Sequence, residues 1–445
     1  MTGSDSAVST SRSSRSMRLR RTILALFGPE AKAAALQMWS AGPEDWRGVA
    51  SWLDSSGMAL YLLARMHELE ISFLLPPALH ARLEQNMVDN TSRTAWLLEQ
   101  MSDLTIQFQR AAIPFAFLKG ITLVPHSVPD PRLRCQTDID ILASSKHVAV
   151  ITAMLLERGY VLHANGNGTS EFRTASTRLV SVDERYMIRP QRAIELHWVR
   201  QHAREAQRAS VWPEQLIRAE VRKIGGIAIP CLSSLDQFIN QALHLFGHLR
   251  SEHTRASWIV EFARHIETRR HDAAFWERLR VEAGEIPDAR LACGVSFAVV
   301  EKVLLSSPPA CMASWIDELP KPVSHWVNMY ATRVASADAP GSKLYLILER
   351  ALAANDSGAK ALVDARLVPH RLPPMVMLGT TGESVAERIR RYGTQLWFIY
   401  YRLRFHLRQL FVYRIELFRW KKQLGSVEGR SNSRLQRNDN QATAV

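Results

Sequence analysis

The hydrophobic period changes twice along this 445-residue chain, and that double switch limits its architecture more than any composition value does. Residues 30–112 carry apolar side chains at three-to-four spacing, as in Trp96, Leu97, Met101, Leu104 and Phe108, with Thr91 or Ser92 placed to cap their helix. Residues 113–118 (IPFAFL) break the pattern as a short apolar run ending in Lys119-Gly120, the signature of a buried strand entering a turn. A short helix is expected over 121–127, stopped by Pro129 and Pro131. Residues 137–143 (TDIDILA) alternate as a strand, and Ser144 is placed to cap a helix that Gly159 ends. Further strands are expected over 160–164, 171–175, 178–188 and 192–198, with Asn165-Gly166-Asn167-Gly168 as a hairpin turn. From Leu235 the helical period returns and holds to about residue 423. The expected class is α+β, a small mixed-sheet core between two helical regions.

The corresponding segments are a disordered basic tail (1–22), an N-terminal helical region (23–112), the α/β core (113–231), a helical domain (232–390), a basic aromatic helix (391–423) and a second disordered tail (424–445). The net charge of +13 sits at the ends: +4 in residues 1–22, +9 in 388–422 and +1 in 423–445, against −1 in all of 23–387. A neutral body weighs against a broad nucleic-acid surface, which needs an uncompensated basic face. Four scattered cysteines without a CxxC spacing support neither a zinc ribbon nor a disulfide framework, and a reduced, cytoplasmic setting is expected. No uncharged apolar run reaches the roughly 18 residues that span a bilayer. The apolar stretch Ile23 to Phe27 is too short for a signal peptide.

The chemistry-bearing residues fall inside the core. Asp138 and Asp140 are two apart on a strand, so their carboxylates share one face while Ile139 and Ile141 point the other way. Converging carboxylates repel unless a cation lies between them, and a hard divalent ion such as magnesium prefers oxygen ligands. Lys119-Gly120 precedes them: a glycine there lets backbone approach a phosphate, and the lysine adds charge. Glu195 lies on a later strand with His197 on the same face. If that strand neighbours the first, three carboxylates meet, as two-metal phosphoryl chemistry requires. Arg134 sits four residues before Asp138 in a loop that either leans over the site or pairs with one of the aspartates.

The string FLKGITLVPHSVPDPRLRCQTDIDILA, a helix ending in ERGY, and then IELHW resemble a bacterial family of uncharacterised nucleotidyltransferases in the polymerase-beta-like superfamily. LDQFINQALHLFGH and RASWIVEFARHI resemble its helical half, so the likeness covers about 110–270. The resemblance implies a mixed-sheet nucleotidyltransferase core, a nucleoside triphosphate such as ATP as substrate, one or two magnesium ions, and release of pyrophosphate in a biosynthetic setting. It implies Asp138, Asp140 and Glu195 as metal-binding and catalytic residues, and Lys119, Gly120, Arg134 and His197 around the phosphates. The chain departs from the wider superfamily in having Lys119-Gly120 where Gly-Ser or Gly-Gly is usual, and from close relatives in having Glu195 where Asp is common.

His244 and His248 are one helical turn apart, but Leu245 replaces the acid of an HExxH protease, so they read as packing or surface histidines. Cys135 has no base placed to activate it. In 392–423 aromatic and aliphatic residues interleave with Arg402, Arg404, Arg408, Arg414 and Arg419, which spread over more than half the circumference and leave no clean stripe. Packing on the body, lying on an anionic membrane and docking a protein partner are all compatible with it. Two functions follow: a metal-dependent nucleotidyltransferase with an acceptor unspecified by sequence, or a catalytically silent scaffold of the same fold held by a membrane or a biosynthetic partner. A nucleic-acid-modifying transferase ranks below both.

Overall fold

Alternation in the middle of the chain builds a seven-stranded mixed sheet among the described residues. Its strands are β1 (Phe115–Leu118), β2 (Asp138–Ser144), β3 (Tyr160–Gly166), β4 (Thr169–Thr174), β5 (Ala193–Val199), β6 (Glu220–Ile224) and β7 (Ile227–Cys231), in the order β3-β4-β5-β2-β1-β7-β6. The computed structural model describes residues 4–166, 168–174, 184–188, 193–199, 218–286, 288–353, 357–367, 372–373, 375–377 and 382–442. β2 is central, antiparallel to β1 and parallel to β5, and β1 runs parallel to β7. The fold is α+β.

One face of the sheet is apolar because every second residue is: Phe117, Ile139, Ile141, Phe172, Ile194 and Leu196 are all buried there. They pack on Leu97, Met101, Leu104 and Phe108 of the helix Pro77–Arg110 and on Ile151 and Leu155 of the helix Val148–Glu157. Each such side chain contributes about 2 kcal/mol when fully buried. A larger core, with Trp46, Trp52, Phe238, Phe262, Phe297 and Trp326, joins the N-terminal helices to those after the sheet. The first of the later helices, Ser234–Leu249, is capped by Ser233, whose hydroxyl accepts from the Asp236 amide at 3.2 Å.

Several sequence expectations need correction. The disordered tail expected over 1–22 is not what the chain forms: it is helical over Ser4–Ala25. Leu19 and Ile23 are buried, and Arg20 donates to Ser336 O at 2.9 Å and Gly48 O at 2.8 Å while pairing with Asp338 at 2.9 Å. A basic residue that looks like tail charge is a buried crosslink. The C-terminal boundaries at 391 and 424 also dissolve: one helix runs Val385–Ala442, with no proline to stop it. Thr91 and Ser92 are not caps. They lie inside Pro77–Arg110 and donate to the carbonyls four residues back, Met87 O at 2.7 Å and Val88 O at 3.4 Å. The short helix expected over 121–127 is a 3-10 turn, Gly120–Leu123. Ser144 precedes a 3-10 turn, Ser145–His147, before the helix and makes no side-chain cap bond. Residues 178–183 of the strand expected over 178–188, Asn167 of the hairpin turn, Ala175 and Arg192 lie outside the described residues. β6 and β7 form a hairpin that the period reading does not single out, turned by Gly225 and Gly226 at φ 58° and 83°.

Candidate functional site

The polar face of the sheet gathers the charged residues. In the β2–β5 register Asp140 lies opposite Glu195 and Leu142 opposite His197, so the pleat directs Asp140, Glu195 and His197 to one surface. Their donor atoms lie within 4.8 Å of one another. His197 Nε2 donates to Asp140 Oδ1 at 2.8 Å and stands 3.6 Å from Glu195 Oε2. Lys119 Nζ donates to the same Asp140 oxygen at 2.9 Å. Asp138 opens β2 and is outside this tightest group, where His197 stands instead.

The electrostatics follow from burial and these contacts. Burial pushes the Asp138 carboxyl up, and repulsion from Asp140 adds to it, against Lys119, Arg134 and Arg255. Burial would also raise Asp140, but the Lys119 ammonium and the His197 hydrogen bond outweigh it and hold Asp140 well below the usual carboxylate range. Glu195 is pushed up to about 7, first by burial and then by the Asp140 charge. Burial lowers the Lys119 ammonium, yet Asp140 more than compensates and raises it. A carboxyl that keeps its proton to about neutrality, through burial first and the Asp140 charge second, marks an acid cluster with too little positive charge. A divalent cation on Asp140, Glu195 and Asp138 would correct that imbalance, so the donor set fits a hard metal ion.

The turn before β2 is shaped by a neighbouring side chain. Lys119 and Gly120 both take positive φ, 53° and 55°. A Cβ on Gly120 would lie 2.2 Å from the side chain of Gln136. Gln136 Oε1 accepts from the Ile121 amide at 2.8 Å and its Nε2 donates to Asp138 O at 2.6 Å, so one buried amide ties the turn to the start of β2. Gly120 is bare because Gln136 fills that space. The loop is pinned from below by the helix Pro77–Arg110: Asn90 donates to Arg132 O at 2.6 Å, and the fully buried Arg93 donates to Gln136 O and Arg185 O.

The pairing expected between Arg134 and one of the aspartates is not the one that forms. Arg134 Nε donates to Glu261 Oε1 at 3.0 Å rather than to an aspartate, and Tyr61 donates to the same oxygen at 2.9 Å. Tyr61 belongs to the helix Ala59–Glu68 and Glu261 to the helix Ala256–Thr268. A recess of about 20 Å³ lies at this point, lined by Lys119, Arg134, His244, Trp258 and Glu261. A cleft of about 610 Å³ has Tyr61, Arg65, Arg264 and Arg270 in its walls. His244 and His248 pack on Trp258, with ring centroids at 4.8 and 4.0 Å. Burial, then the Lys119 charge, lowers both imidazoles, His248 to about 4, so they sit as neutral wall residues. Gln136, Arg255, Glu261 and Trp258 are members of this surround that motif reading passes over. Arg255, Trp258 and Glu261 lie in RASWIVEFARHI, a segment whose family likeness is their only signal. A second cluster, His67, His80 and Glu84, is half-exposed on the N-terminal helices.

An acid-bearing mixed sheet packed against helices defines an α+β chain with one polar sheet face. A sequence profile described as uncharacterised nucleotidyltransferase matches residues 42–302, over half of the chain, and the protein belongs to that family. The match begins well before residue 110, so the N-terminal helices that carry Tyr61, Asn90 and Arg93 are part of the family unit. No curated protein matches the chain. Among solved structures it is similar to an antigenic nucleotidyltransferase-like protein from Paracoccidioides brasiliensis, at 14% identity over 48% of this chain and 94% of that one, with a TM-score of 0.28. The α+β assignment rests on the strand pairing itself. Among the described residues no helix is long and apolar enough to cross a membrane.

Proposed function

We propose that the protein is a magnesium-dependent nucleotidyltransferase of the polymerase-beta-like type that moves a nucleoside monophosphate from a triphosphate to an acceptor. The observation that carries this reading is the facing pair Asp140 and Glu195 on adjacent parallel strands, with Glu195 pushed up to about 7. Asp138, Asp140 and Glu195 would hold one or two magnesium ions, which supply charge neutralisation for the triphosphate when bound. Lys119 and Arg134 offset charge developing on the phosphates, with Arg134 held in place by Glu261 and Tyr61. His197 orients Asp140 through its hydrogen bond. Glu195, once deprotonated, takes the proton of the attacking acceptor group. That oxygen forms the new bond to the α-phosphorus, and the bond to pyrophosphate breaks. The turn Lys119-Gly120 approaches the phosphates with its backbone, and the cleft walled by Tyr61, Arg65, Arg264 and Arg270 takes the acceptor. A cytoplasmic, biosynthetic role in a bacterium accords with four scattered cysteines and with the family likeness.

A second reading has its own observation. Lys119 already supplies Asp140 with an internal cation, as a silent scaffold of the same fold would need. Thermal melts with magnesium, with ATP and with both separate the two. The transferase reading expects a rise in melting temperature that requires both ligands and disappears in Asp138→Asn, together with magnesium-dependent labelling of an acceptor from a cell extract. No shift with any nucleoside triphosphate and no labelled acceptor would leave the scaffold, whereas unchanged labelling by Asp138→Asn would remove Asp138 from the metal site.

A further inference from the structure

The helix Val385–Ala442 carries an unpartnered apolar face on its outer side. At about 100° per residue, Trp397, Tyr400, Leu403, Leu407, Phe411 and Phe418 fall within an arc of about 120°, and all six are exposed. The opposite side, turned to the body, mixes polar and apolar anchors: Arg402 pairs with Glu252 at 2.8 Å, Gln395 accepts from Val376 N at 2.9 Å, Tyr413 accepts from Arg350 at 2.6 Å, and Tyr413 and Trp420 are buried in the larger core. The sequence reading, which follows the arginines alone, finds no stripe. The structure sorts them: Arg391 and Arg402 turn inward to acids, and the apolar residues are left facing out in register. Exposed cations lie with them. Arg404, Arg414 and Lys422 fall inside the same arc and Arg408 at its border.

We propose that this face is a docking surface for an anionic lipid membrane, on which the helix lies flat. The charge pattern selects that occupant. Between 385 and 422 the helix has two acids: Glu387, which points well off the arc, and Glu416, which is buried and paired with Arg333 at 2.8 Å. A second copy apposed through the same face would bring cations against cations with no acid to answer them, whereas anionic headgroups complement every one. Aromatic side chains interleaved with arginine suit the boundary between headgroups and acyl chains. The apolar arc runs from Val385 to Phe418, about 50 Å at 1.5 Å per residue, and no described helix can span a bilayer, so the surface rests on a leaflet rather than crossing it. This inference stands apart from the transferase reading, since no residue of the acidic site is involved.

The full-length protein sedimented with phosphatidylcholine vesicles, and with phosphatidylcholine–phosphatidylglycerol vesicles, tests it. Binding at least tenfold tighter to the anionic vesicles and weakening with salt is expected, with about fivefold lost for each of Arg404, Arg408 and Arg414 changed to Gln. Leu407→Glu/Phe411→Glu, on exposed positions and with an unchanged melting temperature, should abolish binding. Failure of the unaltered chain to bind anionic vesicles, or equal binding to both kinds, overturns the proposal. A dimer by light scattering that Leu407→Glu/Phe411→Glu turns to monomer also overturns it and gives the face to a second copy.

Discussion

The Lys119–Asp140 contact makes one aspartate structural as well as chemical. Lys119 is largely buried, 20% exposed at its side chain, and Asp140 is 4% exposed. Asp140→Asn strands a buried ammonium and should cost about 3 kcal/mol, read as a lower urea midpoint. Asp138→Asn keeps that pair and is expected to hold stability within about 1 kcal/mol, which is why it is the cleaner test of metal chemistry. Glu195 predicts a pH dependence. It titrates near 4.5 unfolded and at about 7 folded. Below 4.5 both states are protonated; between 4.5 and 7 the unfolded chain loses the proton while the fold retains it, so stability falls as pH rises through that window and levels off above it. Melts of the wild type and Glu195→Gln over that range should show the decline reduced in the variant, and magnesium should reduce it in the wild type.

Helix Pro77–Arg110 is the element on which the site rests, because Asn90 and Arg93 bind the backbone that leads into β2. Arg93→Ala leaves two buried carbonyls without their donor and should cost about 3 kcal/mol; with fold retained, it should lower nucleotide-dependent thermal stabilisation more than Asn→Ala changes elsewhere on that helix. The sheet shows why some elements are legible in the sequence and others not. β2 and β5 declare themselves through strict alternation, which places them within a residue or two. Parity puts Asp138 with Asp140 and Glu195 with His197, and the β2–β5 register brings the two sets to one face. β6 and β7 escape the period reading because Gly225-Gly226 separates runs mixing charge with Ile and Pro, a weaker period. Gln136 acts through the Ile121 amide and the Asp138 carbonyl, and Arg93 through the distant carbonyls of Gln136 and Arg185, and no spacing rule encodes such partners.

At the scale of the molecule, acidic residues between helices do the joining. Glu252 carries Arg402 at 2.8 Å and Lys343 at 3.5 Å, so it fastens the long C-terminal helix to the body. Glu252→Gln should raise the rate of limited proteolysis within 385–422 several-fold while leaving the site untouched. The charge asymmetry of the sequence points to that helix without its bounds, and which side faces outward depends on Glu252 and its neighbours, far away along the chain. The hydrogen-bonded trio Tyr61–Glu261–Arg134 has a similar reach, since its members come from before, after and within the sheet region. Excising 113–231 as a minimal fragment would therefore yield a sheet whose apolar side has lost the helix Pro77–Arg110 and a guanidinium stripped of its anchor, and any shorter working version of this protein must begin upstream of Tyr61 and continue past Glu261.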